Sequence, residues 1–347
     1  MGILFGKFLL SAIIGLAGFQ VSALPTPGDT PKCTTPTKRM SWHDMTDDAK
    51  KSYLAAEQCV MSSPATVKLP GAKTKWDQLV SLHQIHALQI HSTGTFLPYH
   101  RYFLHTHEFL LNECGYKGGL PYWDEPRDAG KFSSSPVFSP TLGFGGDGKG
   151  AKNCVADGPF SNVTVNIGPG FTTQPRCVNR KITNFLSSLS AKAQVTAALN
   201  YSTYDTVWNG IYSGPHLGGH MALSMMNGDS ITSPGDPVFF LHHGFVDKMW
   251  WDWQAQNPSK RLTEIGGPNA QDPAIGFTEF PGGMEVESQM WGHPTAEMAA
   301  AAPDPHAGDK GNVTTLGHVL TSKGIIPDAT IADIMDIKGG YLCYDYV

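Results

Sequence analysis

Residues 91–108 read HSTGTFLPYHRYFLHTHE, and four histidines fall within this stretch. Pro98 suits the first turn of a helix and Gly115 suits its end, which predicts a helix over 98–115 that carries three of these histidines. A single buried histidine is usually a hydrogen-bonded core residue. A cluster of histidines on helices instead points to metal binding.

The segment before this stretch supplies a further histidine at metal-ligand spacing. Thr74 is a good N-terminal cap for a helix that runs over 75–90. His83 precedes His91 by eight positions, and His100 follows His91 by nine. One histidine is therefore expected on a helix, one at its end and one on the next helix, where the three can converge.

A second group of histidines occurs downstream, in HLGGH at 216–220 and in DPVFFLHHGFVD at 236–247. His216 and His220 are four residues apart, so both imidazoles project from one face of a helix starting near Pro215. His242 and His243 lie on a helix predicted over 237–254. Adjacent residues on a helix face about 100° apart, so only one of these two is expected to be a primary ligand.

These ligand sets restrict the metal. Nitrogen donors without carboxylates disfavour magnesium and calcium, and imidazole suits copper. Imidazole also suits zinc, as in a three-histidine hydrolytic centre, so ligand type leaves copper and zinc open.

The rest of the chain shows few regular elements. Thr46 is expected to cap a helix that ends near Val60. Residues 121–180 are dense in Gly, Pro, Ser and Asn and predict a long irregular segment, which Cys154 and Cys177 could tether. Helical periodicity returns over 182–199, and loops with short strands are expected after residue 257.

Composition excludes several classes of partner. The chain has 347 residues, 41% hydrophobic and 16% charged, which is enough for one large core or at most two domains. The net charge is -5 and no cluster of Lys and Arg is present, so neither nucleic acid nor an acidic membrane is an expected partner. A small-molecule substrate is favoured, and the oligomeric state stays open.

Residues 1–23 carry the pattern of a secretory signal peptide: Lys7, an apolar run, and small residues at 21–23. The apolar run is shorter than the roughly 20 residues that cross a bilayer. Six cysteines without Cys-x-x-Cys spacing predict disulfides, in any of 15 pairings. Sequons at Asn162, Asn200 and Asn312 are typical of the same secreted, extracellular route.

Residues 91–108 and 236–247 resemble the two copper signatures of tyrosinases and catechol oxidases. Further similarities are PYWD at 121–124, DGPF at 157–160, PRC at 175–177 and the Tyr-Asp-Tyr element at 344–346. The sequence is most similar to the short secreted catechol oxidases of filamentous fungi. The resemblance therefore covers most of residues 24–347.

The resemblance implies a mainly α fold, with a four-helix bundle around a dicopper centre, long irregular loops and few short strands. It implies that residues 24–347 form a single catalytic domain without a C-terminal lid domain. It also implies two copper ions as cofactors, with dioxygen and a small phenol as the reacting partners. The implied ligands are His83, His91 and His100 for the first copper, and His216, His220 and His243 for the second.

Other roles follow from the same resemblance. His242 becomes a neighbour of the second copper, and His86, His105 and His107 become packing or surface residues. Glu108 and Asp247 are candidates for orienting ligands. Asp247 lies one turn after His243, where it could accept a hydrogen bond from a copper-bound ring, and a surface cap or a salt bridge is the alternative. Arg39 is expected to pack on Tyr344 and Tyr346.

Three departures from the family pattern bear on specificity. Tyr99 stands where Trp or Phe is usual, and Gln89 stands where many fungal tyrosinases have a cysteine bonded to the following histidine. Leu217 replaces an asparagine thought to help deprotonate monophenols. We therefore expect oxidation of o-diphenols to o-quinones with weak or no monophenol hydroxylation. A true tyrosinase, an o-aminophenol oxidase, a haemocyanin-like oxygen carrier and a zinc hydrolase are the alternatives.

Overall fold

The structure, a computed structural model, describes residues 33–271 and 291–347, so the predicted signal peptide at 1–23 lies outside the described residues. Most of the regular secondary structure is helical, which confirms the predicted mainly α class. The longest are α1 Asp47–Ser62, α2 Lys75–Ile90, α3 Phe96–Glu113 and α7 Val238–Ala255. The shorter ones are α4 Lys192–Leu199, α5 Tyr204–Ile211, α6 Leu217–Leu223, α8 Pro258–Arg261, α9 Ala296–Ala301 and α10 Ile331–Ile334.

The strands are short and form two-stranded ladders. Strand β1 Thr37–Arg39 pairs in parallel with β8 Tyr344–Tyr346. The antiparallel pairs are β2 Gly148–Lys149 with β3 Cys154–Val155, β4 Thr164–Val165 with β5 Arg176–Cys177, and β6 Val319–Leu320 with β7 Ala329–Thr330. Residues 121–180 are accordingly an irregular segment with short strands, as predicted.

Two predicted helix starts are confirmed. The Thr46 hydroxyl accepts a hydrogen bond from the first turn of α1. Thr74 and Asp77 form a reciprocal capping box at the start of α2, which satisfies two backbone donors that a helix start leaves free. Helix α3 begins two residues before Pro98, and the proline lies in its first turn, where no intrahelical donor is needed.

Two predictions about helices were wrong. Residues 182–199 are not one helix, because a 3-10 turn at Leu186–Ser190 is followed by the extended Ala191 before α4 begins. Helix α5 was not predicted, and α8, α9 and α10 lie where only loops and strands were expected. Short helices carry too few turns to show a periodic pattern.

Helices α5 and α6 form one continuous run through a π-helical turn at Tyr212–His216. Pro215 lies inside this turn and has no backbone N–H to donate. Single π turns commonly interrupt helices at functional positions. Here the turn leads directly into His216.

Three disulfides hold the loops and chain segments together: Cys33–Cys343, Cys59–Cys114 and Cys154–Cys177. The last one tethers the irregular 121–180 segment to itself. The described residues contain no free cysteine. The predicted use of cysteines as disulfides is confirmed, and the pairing is now assigned.

Helices α2, α3 and α7 lie at the centre of the core, with Trp76, Trp250 and Trp253 fully buried. The Arg39 guanidinium lies 3.4 Å from the ring centroid of Tyr344, which confirms the predicted packing of arginine on tyrosine. Among the described residues, no helix is both long and apolar enough to cross a membrane.

Candidate metal centre

Three histidines converge where α2 ends and α3 begins. His83 lies within α2, His91 is the residue that ends it, and His100 lies on α3. One ring nitrogen of each lies within 4.8 Å of the other two. The Nδ1 atoms face backbone carbonyl oxygens: that of Ile231 at 2.9 Å from His83, that of Ala87 at 3.0 Å from His91, and that of Phe96 at 2.8 Å from His100.

Four histidines form the second group: His216, His220, His242 and His243. His216 and His220 come from the π turn and α6, and the other two come from α7. Nε2 of His220 lies 3.1 Å from Nε2 of His243. Nδ1 of His220 lies 2.7 Å from the backbone oxygen of Asn227, and Nδ1 of His216 lies 3.2 Å from that of Tyr212.

The two groups face each other. The rings of His100 and His243 are stacked, with centroids 4.3 Å apart and planes at 14°. The ring of Phe96 lies between the groups, with its centroid 4.8 Å from that of His100 and 4.7 Å from that of His216. This geometry places two nitrogen-rich sites side by side.

The chemistry of the donors fits transition-metal ions. Nε2 of His83, of His100 and of His216 is buried and has no hydrogen-bond partner among the described residues. Their Nδ1 atoms donate to carbonyls, which leaves each Nε2 as the lone-pair donor. Burial lowers the pKa of all three imidazoles, so they are neutral ligands at physiological pH. The residues present therefore fit copper ions, and ligand type alone also fits zinc.

Comparison with known proteins decides between copper and zinc. The family described as the common central domain of tyrosinase matches residues 73–256, more than half of the chain and all seven clustered histidines. The chain belongs to the tyrosinase family. That family consists of type 3 copper proteins, so this protein is a tyrosinase-family copper oxidase.

Individual relatives agree. The chain is 31% identical to the tyrosinase-like protein phomQ1 of Diaporthe leptostromiformis, over 97% of this chain and 84% of that one. It is 26% identical to the N-acetyl-6-hydroxytryptophan oxidase ivoB of Emericella nidulans, over 97% of this chain and 99% of that one. A polyphenol oxidase (mutant G292N) from Thermothelomyces thermophila superposes with a TM-score of 0.74, at 26% identity and 91% coverage of both chains.

Sequence reasoning missed a buried carboxylate in this tyrosinase-family site. Glu125, in the first 3-10 turn after the PYWD stretch, lies 2.5 Å from Nδ1 of His242 and accepts a hydrogen bond from Ser190 at 2.6 Å. Burial raises the pKa of Glu125 well above its usual range. The pair fixes the ring of His242. Only the adjacency of Glu125 to the PYWD motif could have drawn attention to it.

Glu108 and Asp247 form ion pairs with arginines and do not orient ligand rings, so for Asp247 the salt bridge is correct and the hydrogen bond from a copper-bound ring is not. The Asp247 carboxylate accepts from Arg101 at 2.5 Å and from the hydroxyls of Tyr344 and Tyr346 at 2.5 Å each. Glu108 accepts from Arg39 at 2.8 Å. Two buried arginines compete better for these carboxylates than neutral imidazoles do.

Three histidines that are close to the first group in the sequence lie outside both histidine groups in the structure. Nδ1 of His86 donates to the backbone oxygen of Leu82, 2.7 Å away. His107 contacts the buried carboxylate of Glu57 at 3.1 Å. The centroid of the His105 ring lies 5.4 Å from that of Tyr341.

A loop that sequence reasoning did not single out orients one ligand candidate from each group. The backbone oxygens of Asn227 and Ile231 accept from His220 and His83. The buried Asp229 carboxylate holds the loop by accepting from backbone N–H groups at 231 and 232, from the hydroxyl of Thr232, and from the backbone N–H at 170. The turn-forming sequence NGDS at 227–230 was the only local signal.

The neutral imidazoles make the copper-free protein sensitive to acid. Burial lowers the pKa of His83 and of His220 from 6.5 to about 3. Between these values the unfolded chain binds protons that the folded chain does not, so stability is present above about pH 6.5 and is lost as pH falls toward 3. We expect the urea midpoint of copper-free protein to fall steeply between pH 7 and 4.5. A midpoint that is constant over this range would contradict the burial of neutral imidazoles.

Proposed function

We propose that this protein is a secreted dicopper oxidase that converts o-diphenols to o-quinones with reduction of dioxygen to water, and that it has weak or no monophenol hydroxylase activity. The observation that carries the proposal is the pair of facing imidazole groups, joined at the stack of His100 on His243. When bound, two coppers would accept electrons from the diphenol and pass them to dioxygen. The residues of the protein would hold, orient and enclose the two coppers.

In this proposal His83, His91 and His100 hold the first copper, and His216, His220 and His243 hold the second. His243 is preferred to His242 because its ring faces the first group at His100, as a metal pair requires. Glu125 holds Nδ1 of His242 and leaves its Nε2 without a hydrogen-bond partner among the described residues, as in the ligand candidates, so the choice rests on the position of the His243 ring against His100. His242 supports the second site as a neighbour.

Leu217 supports the preference for diphenols. It lines a cavity of about 20 Å³ together with His91, His216 and His220. A monophenol has a pKa near 10 and must lose its proton before it reacts. The leucine side chain can neither accept that proton nor hold a water that would. A diphenol also loses two protons as it is oxidised to the quinone, but it gives up electrons more readily and depends less on such a base.

The Leu217→Asn variant tests this role. We expect its ratio of monophenol to diphenol oxidation rates to rise, because the amide can orient a water beside the second copper. The ratio is measured on matched phenol and catechol pairs with copper-loaded protein. Leu262→Asn, a half-buried leucine outside the cavity, should leave the ratio unchanged. Wild-type protein that hydroxylates tyrosine as fast as it oxidises catechol would refute the argument.

One substrate panel separates the alternatives within and outside the oxidase class. Copper-loaded protein is assayed with a monophenol, an o-diphenol and an o-aminophenol of the same ring substitution. Preference for the first or third compound would indicate a true tyrosinase or an o-aminophenol oxidase. Reversible dioxygen binding without turnover of any of them would indicate a haemocyanin-like carrier.

Secretion is part of the proposal, with residues 24–347 acting as one catalytic domain. Three disulfides support an oxidising compartment. The sequon asparagines Asn162, Asn200 and Asn312 are all exposed, as glycosylation requires. We expect a mature N-terminus at or after Leu24 and a mass that falls when N-glycans are removed. An intracellular product that retains Met1 would contradict this.

A further inference from the structure

A groove with a volume of about 870 Å³ lies next to the candidate metal centre. One wall comes from the irregular segment around the Cys154–Cys177 disulfide, and the other comes from the turn that follows α6. The surface that lines the groove is mainly apolar, and Met221, Met226 and Trp291 are among the lining residues. Methionine side chains adapt to ligands of different shape.

The groove is continuous with the metal centre. Met221 and Gly228 line both the groove and the small cavity that exposes His91, His216 and His220. The same turn contains Asn227, whose backbone oxygen holds His220. A molecule bound in the groove is therefore separated from the second histidine group by a single layer of side chains.

The turn that forms the groove wall is conformationally unusual. Ser224 and Met225 have φ values of 44° and 46°, in a region that residues other than glycine rarely adopt. Such conformations persist where the surrounding fold enforces them, and they concentrate at binding sites. Met225 remains 38% exposed, a large apolar side chain open to solvent beside the groove.

The volumes set the size of the ligand. The cavity beside the histidines, about 20 Å³, admits little more than a water molecule until Met221 or Leu217 turns aside. A site for a single benzene ring needs roughly 150 Å³. The groove is several times larger and lies in the range of pockets for extended ligands, about 300–1,000 Å³.

We propose that the groove binds an extended apolar substituent on the ring of the substrate, so that the preferred substrate is a catechol bearing a long apolar side group rather than a simple catechol. The ring would enter beside His216 and His220, and the substituent would pass Met221 and lie against Met225. This inference rests on the proposed diphenol oxidation for the identity of the ring. The binding of the substituent is independent of it.

A series of 4-alkylcatechols tests the inference. In copper-loaded wild-type protein, KM should fall by about tenfold or more from 4-methylcatechol to 4-hexylcatechol, because each added methylene leaves water for an apolar surface. In Met225→Asp this ratio should fall to about threefold or less. The ratio is taken within one variant, so a general loss of activity cancels.

Met40→Asp is the matched control, since Met40 is 39% exposed and does not line the groove. It should keep the wild-type ratio. A wild-type KM that does not depend on chain length, or an equal loss of dependence in Met225→Asp and Met40→Asp, would overturn the inference.

Binding to copper-free protein separates this inference from the proposed function. The probe is 4-hexyl-1,2-dimethoxybenzene, which lacks free hydroxyls, and calorimetry measures its Kd. Wild type and Met40→Asp should bind it at least fivefold more tightly than Met225→Asp. Binding by this pattern without oxidation of any catechol would refute the proposed function and support the groove. Oxidation of catechols without any binding of the ether would refute the groove alone.

Discussion

The His243→Ala variant is expected to lose copper from the second site and to lose diphenol oxidation by more than about 100-fold. Removing an orienting partner of a metal ligand already costs about 10- to 100-fold, and removing the ligand itself costs more. Nε2 of His243 lies 3.1 Å from Nε2 of His220, so its loss leaves the second group open on the side that faces His100. Copper content per chain and catechol turnover measure the effect.

The control for this variant is His86→Ala, which should retain both copper ions and activity because His86 lies outside both histidine groups. His242→Ala should retain copper and change activity, since it removes only the ring that Glu125 fixes. Copper loss in His242→Ala with an intact His243→Ala would show that the wrong neighbour was assigned. Equal loss in His86→Ala and His243→Ala would refute the whole ligand assignment.

The Asp247→Ala variant is expected to lower the free energy of unfolding by about 3 to 5 kcal/mol, the range for breaking a buried ion pair. Burial by itself raises the pKa of Asp247, but Arg101 and Arg39, together with the hydroxyls of Tyr344 and Tyr346, hold that pKa below its ordinary value. Without the carboxylate, two fully buried guanidinium groups lose a shared partner. Urea unfolding of copper-free protein at pH 7 measures the change.

Asp252→Ala provides the comparison on the same helix. Asp252 pairs with Lys248 at 2.7 Å, but its side chain is 41% exposed, so the pair is worth about 0 to 1 kcal/mol. Similar effects of the two substitutions would mean that the buried cluster does not stabilise the fold.

The sequence predicted the elements whose signals are local. Thr74 and Asp77 predicted the start of α2, and the spacing of His216 and His220 predicted a shared helix face. Both signals are local, because caps and helical periods depend on neighbouring residues. The mainly α class was implied by the resemblance of the two histidine-bearing stretches to the copper signatures of tyrosinases. These parts of the fold and of the candidate site needed no knowledge of distant contacts.

Other features depended on contacts across the chain. Asp247 had the right spacing to orient His243, yet it turns to Arg101, which is 146 residues away in sequence. Glu125 reaches His242 across 117 residues, and the loop that holds His83 lies 148 residues further along. The pairing of six cysteines was likewise open until three-dimensional proximity resolved it.

The disulfide between Cys33 and Cys343 joins positions 310 residues apart, next to the parallel pair of β1 and β8. A pulling force applied at these two positions would be borne by the covalent bond and not by the helices between them. Under tension the enclosed loop could not be stretched until that bond was reduced. Surface attachment at these positions should therefore leave the metal centre mechanically shielded.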